Sequence, residues 1–409
     1  MQAFTALTLP NGTVIPNRLA KAAMEENMAD DDHAPSKELI RLYQSWADGG
    51  VGLMITGNVM IDRRAMTGPG GVVLDSAQFG ARFEQWSRTA RSRGAQIWMQ
   101  INHPGRQMPA AMGQDTIAPS AVPMDMGNFS KQFSAPRAMT EADIADVKQR
   151  FVNTAKLAEQ FGFTGVQIHA AHGYLLSQFL SPITNKRTDR WGGPLENRAR
   201  LLVDVVNGVR QAVGKGFAVA VKLNSADFQK GGFSSEDAKQ VVSMLNSLGV
   251  DLIELSGGSY EAPAMHGQTR DGRTLAREAY FLEFAKDIAT VASMPIMVTG
   301  GIRRYPVVEQ VLGSGIAMAG MGTALAIDPH LPKAWLSDQS ASPLLRAITW
   351  KNKVLSSIAY MAMVKYQLRR LSQGRKTRPN VAPALALLMQ QWETSIRNRQ
   401  YRRRMNSGF

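Results

Sequence analysis

The chain has 409 residues with 44% apolar content, enough to bury a large core, and it contains no cysteine. Disulfides, iron–sulfur ligation and thiol redox chemistry are therefore excluded, so any electron transfer falls to an organic cofactor. The net charge of +14 is uneven: residues 341–409 hold fourteen Lys and Arg against the single acid Glu393, which puts +13 in the tail and +1 in the preceding 340 residues.

The first residues, Met1 to Ala6, show no basic segment followed by an apolar stretch, and the longest uncharged apolar tract, 315–327, is too short to cross a bilayer as a helix. A cytoplasmic protein is expected. Strand-like apolar runs then follow in order at 17–22, 51–56, 96–101, 165–169, 218–223, 251–255, 295–299 and 316–321. Helical signals lie between them. Thr140-Glu141-Ala142-Asp143 has a capping-box pattern leading to Ile144, Val147, Phe151, Ala155 and Ala158 on one face, with Gly162 as the stop; a second helix spans 235–248 and is closed by Gly249. Segment 102–140 is long and rich in Pro, Met, Gly and Ser, which suits a loop or lid.

Eight alternations of this kind, with strands mostly continuous in apolar character, predict an α/β fold: a closed parallel (β/α)8 TIM barrel over 1–335. A basic helical extension over 341–409 follows. Within it Val354, Leu355, Ile358, Met361, Ala362 and Leu368 have helical spacing, and 383–396 continues as a helix towards Arg397, Arg399 and Arg402-Arg403-Arg404. Two helices packed on the barrel or on a neighbouring subunit of a homo-oligomer, an anionic membrane surface, and an acidic ligand are the readings open for this tail. No nucleic acid partner is expected for the chain as a whole.

Barrel enzymes place their chemistry after the strands. Here those positions hold Ala22, Ala23, Met24 and Glu25; Gly57 and Asn58; Gln100, Asn102 and His103; His169, His172 and Tyr174; Lys222; Ser256; Gly300 and Gly301; and Gly322 and Thr323. Two neutral imidazoles can each donate a hydrogen bond to a carbonyl-type oxygen, and a nearby phenol can deliver a proton. Glycines after the last two strands suit a phosphate held by backbone amides. His169 and His172 form a His-x-x-His pair without a third ligand or the glutamate of helical zinc motifs, so no metal is expected. Blander roles exist for each: a structural histidine pair, a helix-start Tyr174, an ion-paired Lys222, and a Gly300-Gly301 pair that only serves a tight turn. Arg187, Asp189, Arg190, Glu196 and Arg198 read as a salt-bridged structural loop.

The run from Asn17-Arg18 through Met24, the segment Gln100-Ile101-Asn102-His103-Pro104-Gly105-Arg106, the stretch from His169 to Arg198, Lys222 to Asp227, and Thr299-Gly300-Gly301 together resemble the Old Yellow Enzyme family of flavin oxidoreductases over about residues 1–335. The resemblance implies FMN at the barrel mouth, with NADH or NADPH as reductant. It implies that Ala22, Ala23, Met24, Gly57 and Gln100 border the flavin ring, that Lys222 lies near its N1/C2 region with His169 and Ser256 close by, and that Gly300, Gly301, Gly322 and Thr323 hold the phosphate. It further implies that His169 and His172 bind the oxygen of a small enone-type or nitroalkene substrate, while Tyr174 protonates its α-carbon. Glu25 stands where many members have Thr or Cys, Ala23 where they have Pro, Lys222 and Thr323 where they have Arg, and Trp191 where Tyr is common. Two other readings accompany this one: a Schiff-base aldolase with Lys222 as nucleophile, and a non-catalytic scaffold for the basic tail.

Overall fold

The computed structural model describes residues 1–264 and 278–407. Each apolar run forms a strand of one barrel: β1 (Leu19–Lys21), β2 (Leu53–Ile55), β3 (Gln96–Asn102), β4 (Gly165–Ala170), β5 (Ala218–Asn224), β6 (Leu252–Ser256), β7 (Ile296–Thr299) and β8 (Met318–Met321). All neighbouring pairs are parallel, β8 pairs with β1, and the direct pairing of β3 with β4, with Trp98 opposite Gly165 and Met99 opposite Val166, leaves no open edge between them.

The runs look uniformly apolar because both strand faces are buried, yet alternate residues serve two separate cores. Leu53, Ile55, Trp98, Ala218, Ala220, Leu252, Met297 and Met318 fill the barrel interior together with Leu7, Leu9 and Ile15. Leu7 and Ile15 belong to a short N-terminal antiparallel pair, Leu7–Thr8 with Val14–Ile15, that the sequence did not announce, and Leu9 directly follows its first strand. Residues of the other parity, such as Ile97, Val166, Val219, Ile253 and Val298, face the helices. One step further along β3 to β7 the interior turns polar at Gln100, Gln167, Lys222, Glu254 and Thr299. That switch marks the functional end of the barrel.

The helices of the outer ring are α1 (Lys37–Gly49), α2 (Gly80–Ala90), α3 (Glu141–Gln160), α4 (Leu175–Leu180), α5 (Leu195–Ala212), α6 (Ser235–Leu245), α7 (Leu282–Ala289), α8 (Tyr305–Gly313), α9 (Thr323–Ile327) and α10 (Leu331–Ser337). Thr140 and Asp143 form the expected capping box of α3, and Ser234 with Asp237 forms another at α6. The segment between β3 and α3 is loop with three short 3-10 turns and a two-residue strand pair, as its composition predicts.

Beyond α10 the chain forms α11 (Lys353–Ser372) and α12 (Pro383–Ser407). α11 lies against α1 and α9, with Ala362, Met363, Val364 and Leu368 buried in the core that surrounds the barrel. Arg369 and Glu393 form an ion pair between the two tail helices. Among the described residues no helix is long and apolar enough to cross a membrane, and no group of three or more acidic or histidine side chains is placed to hold a metal ion.

Candidate active site

A cleft of about 450 Å³ opens at the C-terminal ends of the strands, a size usual for small-molecule sites. Ala22, Ala23, Met24, Gln100, His169, His172, Tyr174, Lys222, Ser256, Gly300, Gly301, Gly322 and Thr323 all line it. Gly57 does not. Its N–H donates to Glu26 Oε1 (3.3 Å) and Tyr43 Oη (3.2 Å) in a buried cluster outside the cleft. A Cβ at position 57 would lie 2.0 Å from Glu26 Oε2, which accounts for glycine there. Lys21 completes that cluster through Glu26 (2.9 Å), Tyr43 (3.1 Å) and the Ile55 carbonyl (2.8 Å).

After β4 the backbone turns through left-handed conformations at His172 (φ 61°) and Gly173 (φ 74°). Such a geometry is costly for a histidine, so it must be held by its surroundings. The His172 N–H donates to Asn224 Oδ1 (3.0 Å), and its carbonyl accepts from Gln107 Nε2 (3.0 Å). The turn brings three rings together: His169 and His172 centroids are 5.0 Å apart, and His169 and Tyr174 centroids 4.8 Å, both edge to face. His172 Nε2 lies 2.8 Å from Ser256 Oγ. The Ala171 N–H donates to His169 Nδ1 (3.2 Å), which leaves Nε2 as the site of the donor hydrogen in the neutral ring. Burial, reinforced by the Lys222 charge, holds the His169 pKa well below its usual value, so the ring is a neutral donor at neutral pH.

Tyr174 starts α4, but its side chain makes no cap. Its hydroxyl lies 2.8 Å from that of Tyr260. Burial, then the Tyr260 and Glu25 neighbours, push the Tyr174 pKa well above 10, so the phenol keeps its proton.

Beneath the cleft runs a chain of hydrogen bonds. Gln100 Nε2 donates to Gln167 Oε1 (2.7 Å), Gln167 Nε2 donates to Glu254 Oε2 (2.7 Å), and Glu254 Oε1 receives Lys222 Nζ (2.9 Å) and the Thr299 hydroxyl (2.6 Å). With its amide nitrogen so committed, Gln100 presents its oxygen as an acceptor, and Lys222 has donors beyond the one used. An acceptor beside a cationic donor matches the imide edge of a flavin ring. At the other end of the cleft lies Arg303, held by Glu278 (3.0 Å) and Ser342 Oγ (2.6 Å) near Gly301 and Thr323. That end matches a phosphate, so the donor set fits FMN. The glycine pair has a steric reason as well: Gly301 has φ 73°, and a Cβ there would stand 2.5 Å from the Tyr280 ring.

Several site residues were not legible in the sequence. Gln167 and Glu254 share strand parity with His169 and Ser256, which was the available signal. Tyr260 and Arg303 follow β6 and β7 without a motif. The larger omission is the tail: Tyr360, Met361, Val364, Lys365 and Leu368 of α11 form a wall of the cleft. Lys365 Nζ pairs with Glu25 Oε2 (2.7 Å), and the Tyr360 hydroxyl donates to Thr323 Oγ1 (3.3 Å). Burial pushes the Glu25 carboxyl up, but Lys365 together with hydrogen bonds from Thr67 and Asn27 outweighs it and holds the pKa below the ordinary glutamate range.

Residues 2–338 match the protein family described as NADH:flavin oxidoreductase / NADH oxidase. Among curated proteins, an NADH-dependent flavin oxidoreductase of Hypocrea jecorina (strain QM6a) is 36% identical over 355 residues, covering 81% of this chain and 88% of that one. One of the same description from Neonectria sp. (strain DH2) is 37% identical over 352 residues, 80% of this chain but 46% of that longer protein. Among solved structures, a 2-naphthoyl-CoA reductase complex aligns with TM-score 0.75 and 26% identity over 83% of this chain and 53% of that one. An old yellow enzyme homologue from Zymomonas mobilis aligns with TM-score 0.71 and 24% identity over 83% and 94%, a likeness of fold.

Proposed function

The chain belongs to the NADH:flavin oxidoreductase / NADH oxidase family, the Old Yellow Enzyme family, and on that premise we propose that it reduces the carbon–carbon double bond of an α,β-unsaturated carbonyl or nitro compound. Its cofactor is FMN and its reductant NADH or NADPH. Gln100 and Lys222 would hold the ring edge, with Ala22, Ala23 and Met24 along the wall and Arg303, Gly300, Gly301, Gly322 and Thr323 at the phosphate. The chemistry that FMN supplies when bound is hydride exchange, first from the nicotinamide and later to the β-carbon of the alkene.

His169 and His172 donate hydrogen bonds to the substrate oxygen and draw electron density away from the β-carbon. Because His169 is neutral, it polarises the oxygen without protonating it. Tyr174 gives its proton to the α-carbon; its raised pKa keeps the proton in place until a strongly basic carbon centre forms. The contact of His169, His172 and Tyr174 at the mouth of the cleft, with Tyr174 paired to Tyr260, is the observation that carries this reading.

Tyr174→Phe tests it. Bleaching of the flavin by NADH should be unchanged, while its reoxidation by 2-cyclohexenone should slow by about 10² to 10⁴, the usual worth of a general acid. Equal reoxidation rates in the two proteins would remove Tyr174 from the chemistry. No observation favours the aldolase reading, since the Lys222 nitrogen is engaged at 2.9 Å by Glu254 within the network under the cleft.

A further inference from the structure

The tail helix α12 has two unlike faces. On one, Ala386 and Tyr401 are buried, the Tyr401 hydroxyl donates to the Arg63 carbonyl (2.8 Å), Arg397 donates to the Ala29 carbonyl (2.9 Å), and Arg404 pairs with Asp32 (2.7 Å). This face anchors the helix to the barrel. On the other, Leu385, Leu388, Trp392 and Ile396 are 50%, 64%, 69% and 38% exposed. At roughly 100° per residue these four fall within an arc of about 80°, and exposed Arg399 and Arg403 continue the same arc. The bare face is thus apolar over its first turns and cationic over its last.

Isolated exposed apolar residues need no explanation, but an aligned row that includes a largely exposed tryptophan does. Charge selects the occupant. Residues 341–409 carry +13, so covering this face with a second copy brings two strongly cationic tails together. An anionic bilayer offers an apolar boundary for the leucines, an interfacial level for the indole, and fixed negative charge for the arginines. We propose that the bare face of α12 is a docking surface for an anionic lipid bilayer, against which the helix lies flat. The buried face would remain on the barrel throughout, so docking leaves the cleft unchanged.

The experiment mixes the flavin-loaded 409-residue protein with phosphatidylcholine vesicles containing about one-third phosphatidylglycerol, and reads the bound fraction by sedimentation. Binding is expected at low salt, with at least roughly tenfold less at high salt and on pure phosphatidylcholine. Leu388→Glu/Trp392→Glu and, separately, Arg399→Glu/Arg403→Glu should each weaken binding by about tenfold or more, with flavin absorbance and NADH-dependent turnover kept as evidence of an intact barrel. The proposal is overturned by absence of binding at low salt or by undiminished binding of both variants. It is equally overturned if light scattering gives a dimer that Leu388→Glu/Trp392→Glu converts to a monomer, since a second copy would then cover the face.

Discussion

Tyr174 and Tyr260 meet at 2.8 Å, and that contact links the proposed proton donor to a loop residue no motif announced. His169, His172 and Tyr174 were legible because they sit within six residues of sequence, directly after an apolar strand. Tyr260 is eighty-six positions away and is brought in only by barrel closure. Tyr260→Phe should leave the proposed acid in place but remove its hydrogen bond with Tyr260, a loss of about 1 kcal/mol or roughly fivefold in enone-driven reoxidation, measured by stopped flow. No change would show that the Tyr260 contact does not position Tyr174.

Buried histidines set a second expectation at this scale. Burial lowers the pKa of His33, His103 and His169, in the case of His103 to about 4. In the unfolded chain each takes up a proton near pH 6.5, whereas the folded state does so only at lower pH. The unfolded state therefore binds more protons below pH 6.5: stability is complete above that value and falls as the pH drops towards 4. For His103 alone the interval corresponds to about 3 kcal/mol. Urea unfolding at pH 7 and pH 4.5 should show a smaller acid loss in His103→Gln than in the parent; an identical loss would contradict the assignment.

At the scale of elements, the strands were readable because a parallel sheet buried on both faces produces continuous apolar runs, here of five or six residues. The capping box of α3 was readable because Thr140 and Asp143 are local partners. The N-terminal pair Leu7–Thr8 and Val14–Ile15 was missed because two-residue strands carry no periodicity, although they close the interior of the barrel. α11 was readable as a helix but not as a wall of the cleft, since the ion pair of Lys365 with Glu25 spans 340 positions. Lys365→Met should leave Glu25 in the cleft wall without its cation and lower the melting temperature, and Glu25→Gln in the same protein should recover part of the loss. The coupling expected from the double-mutant cycle is about 1–3 kcal/mol. Additive effects would mean that the pair contributes nothing to holding α11.

For the whole molecule, the +13 of the tail was plain in the composition, but its distribution was not. Lys365 turns to the cleft and Arg397 and Arg404 fasten α12, while Arg399 and Arg403 remain exposed. A chain ending at Ser340 would lose one wall of the cleft, together with Tyr360 on Thr323. It should purify with much less flavin, read from the ratio of visible to ultraviolet absorbance, and full retention would show that α11 is dispensable for holding the cofactor.

The most direct measurement is an anaerobic titration of the purified protein in the visible. Bleaching of a yellow protein by NADH or NADPH and recovery of its colour on adding 2-cyclohexenone is the result expected of a cleft that binds FMN and places His169, His172 and Tyr174 around an electron-poor alkene. A flavin that bleaches but stays reduced with enone and nitroalkene acceptors, while oxygen restores it, would contradict alkene reduction.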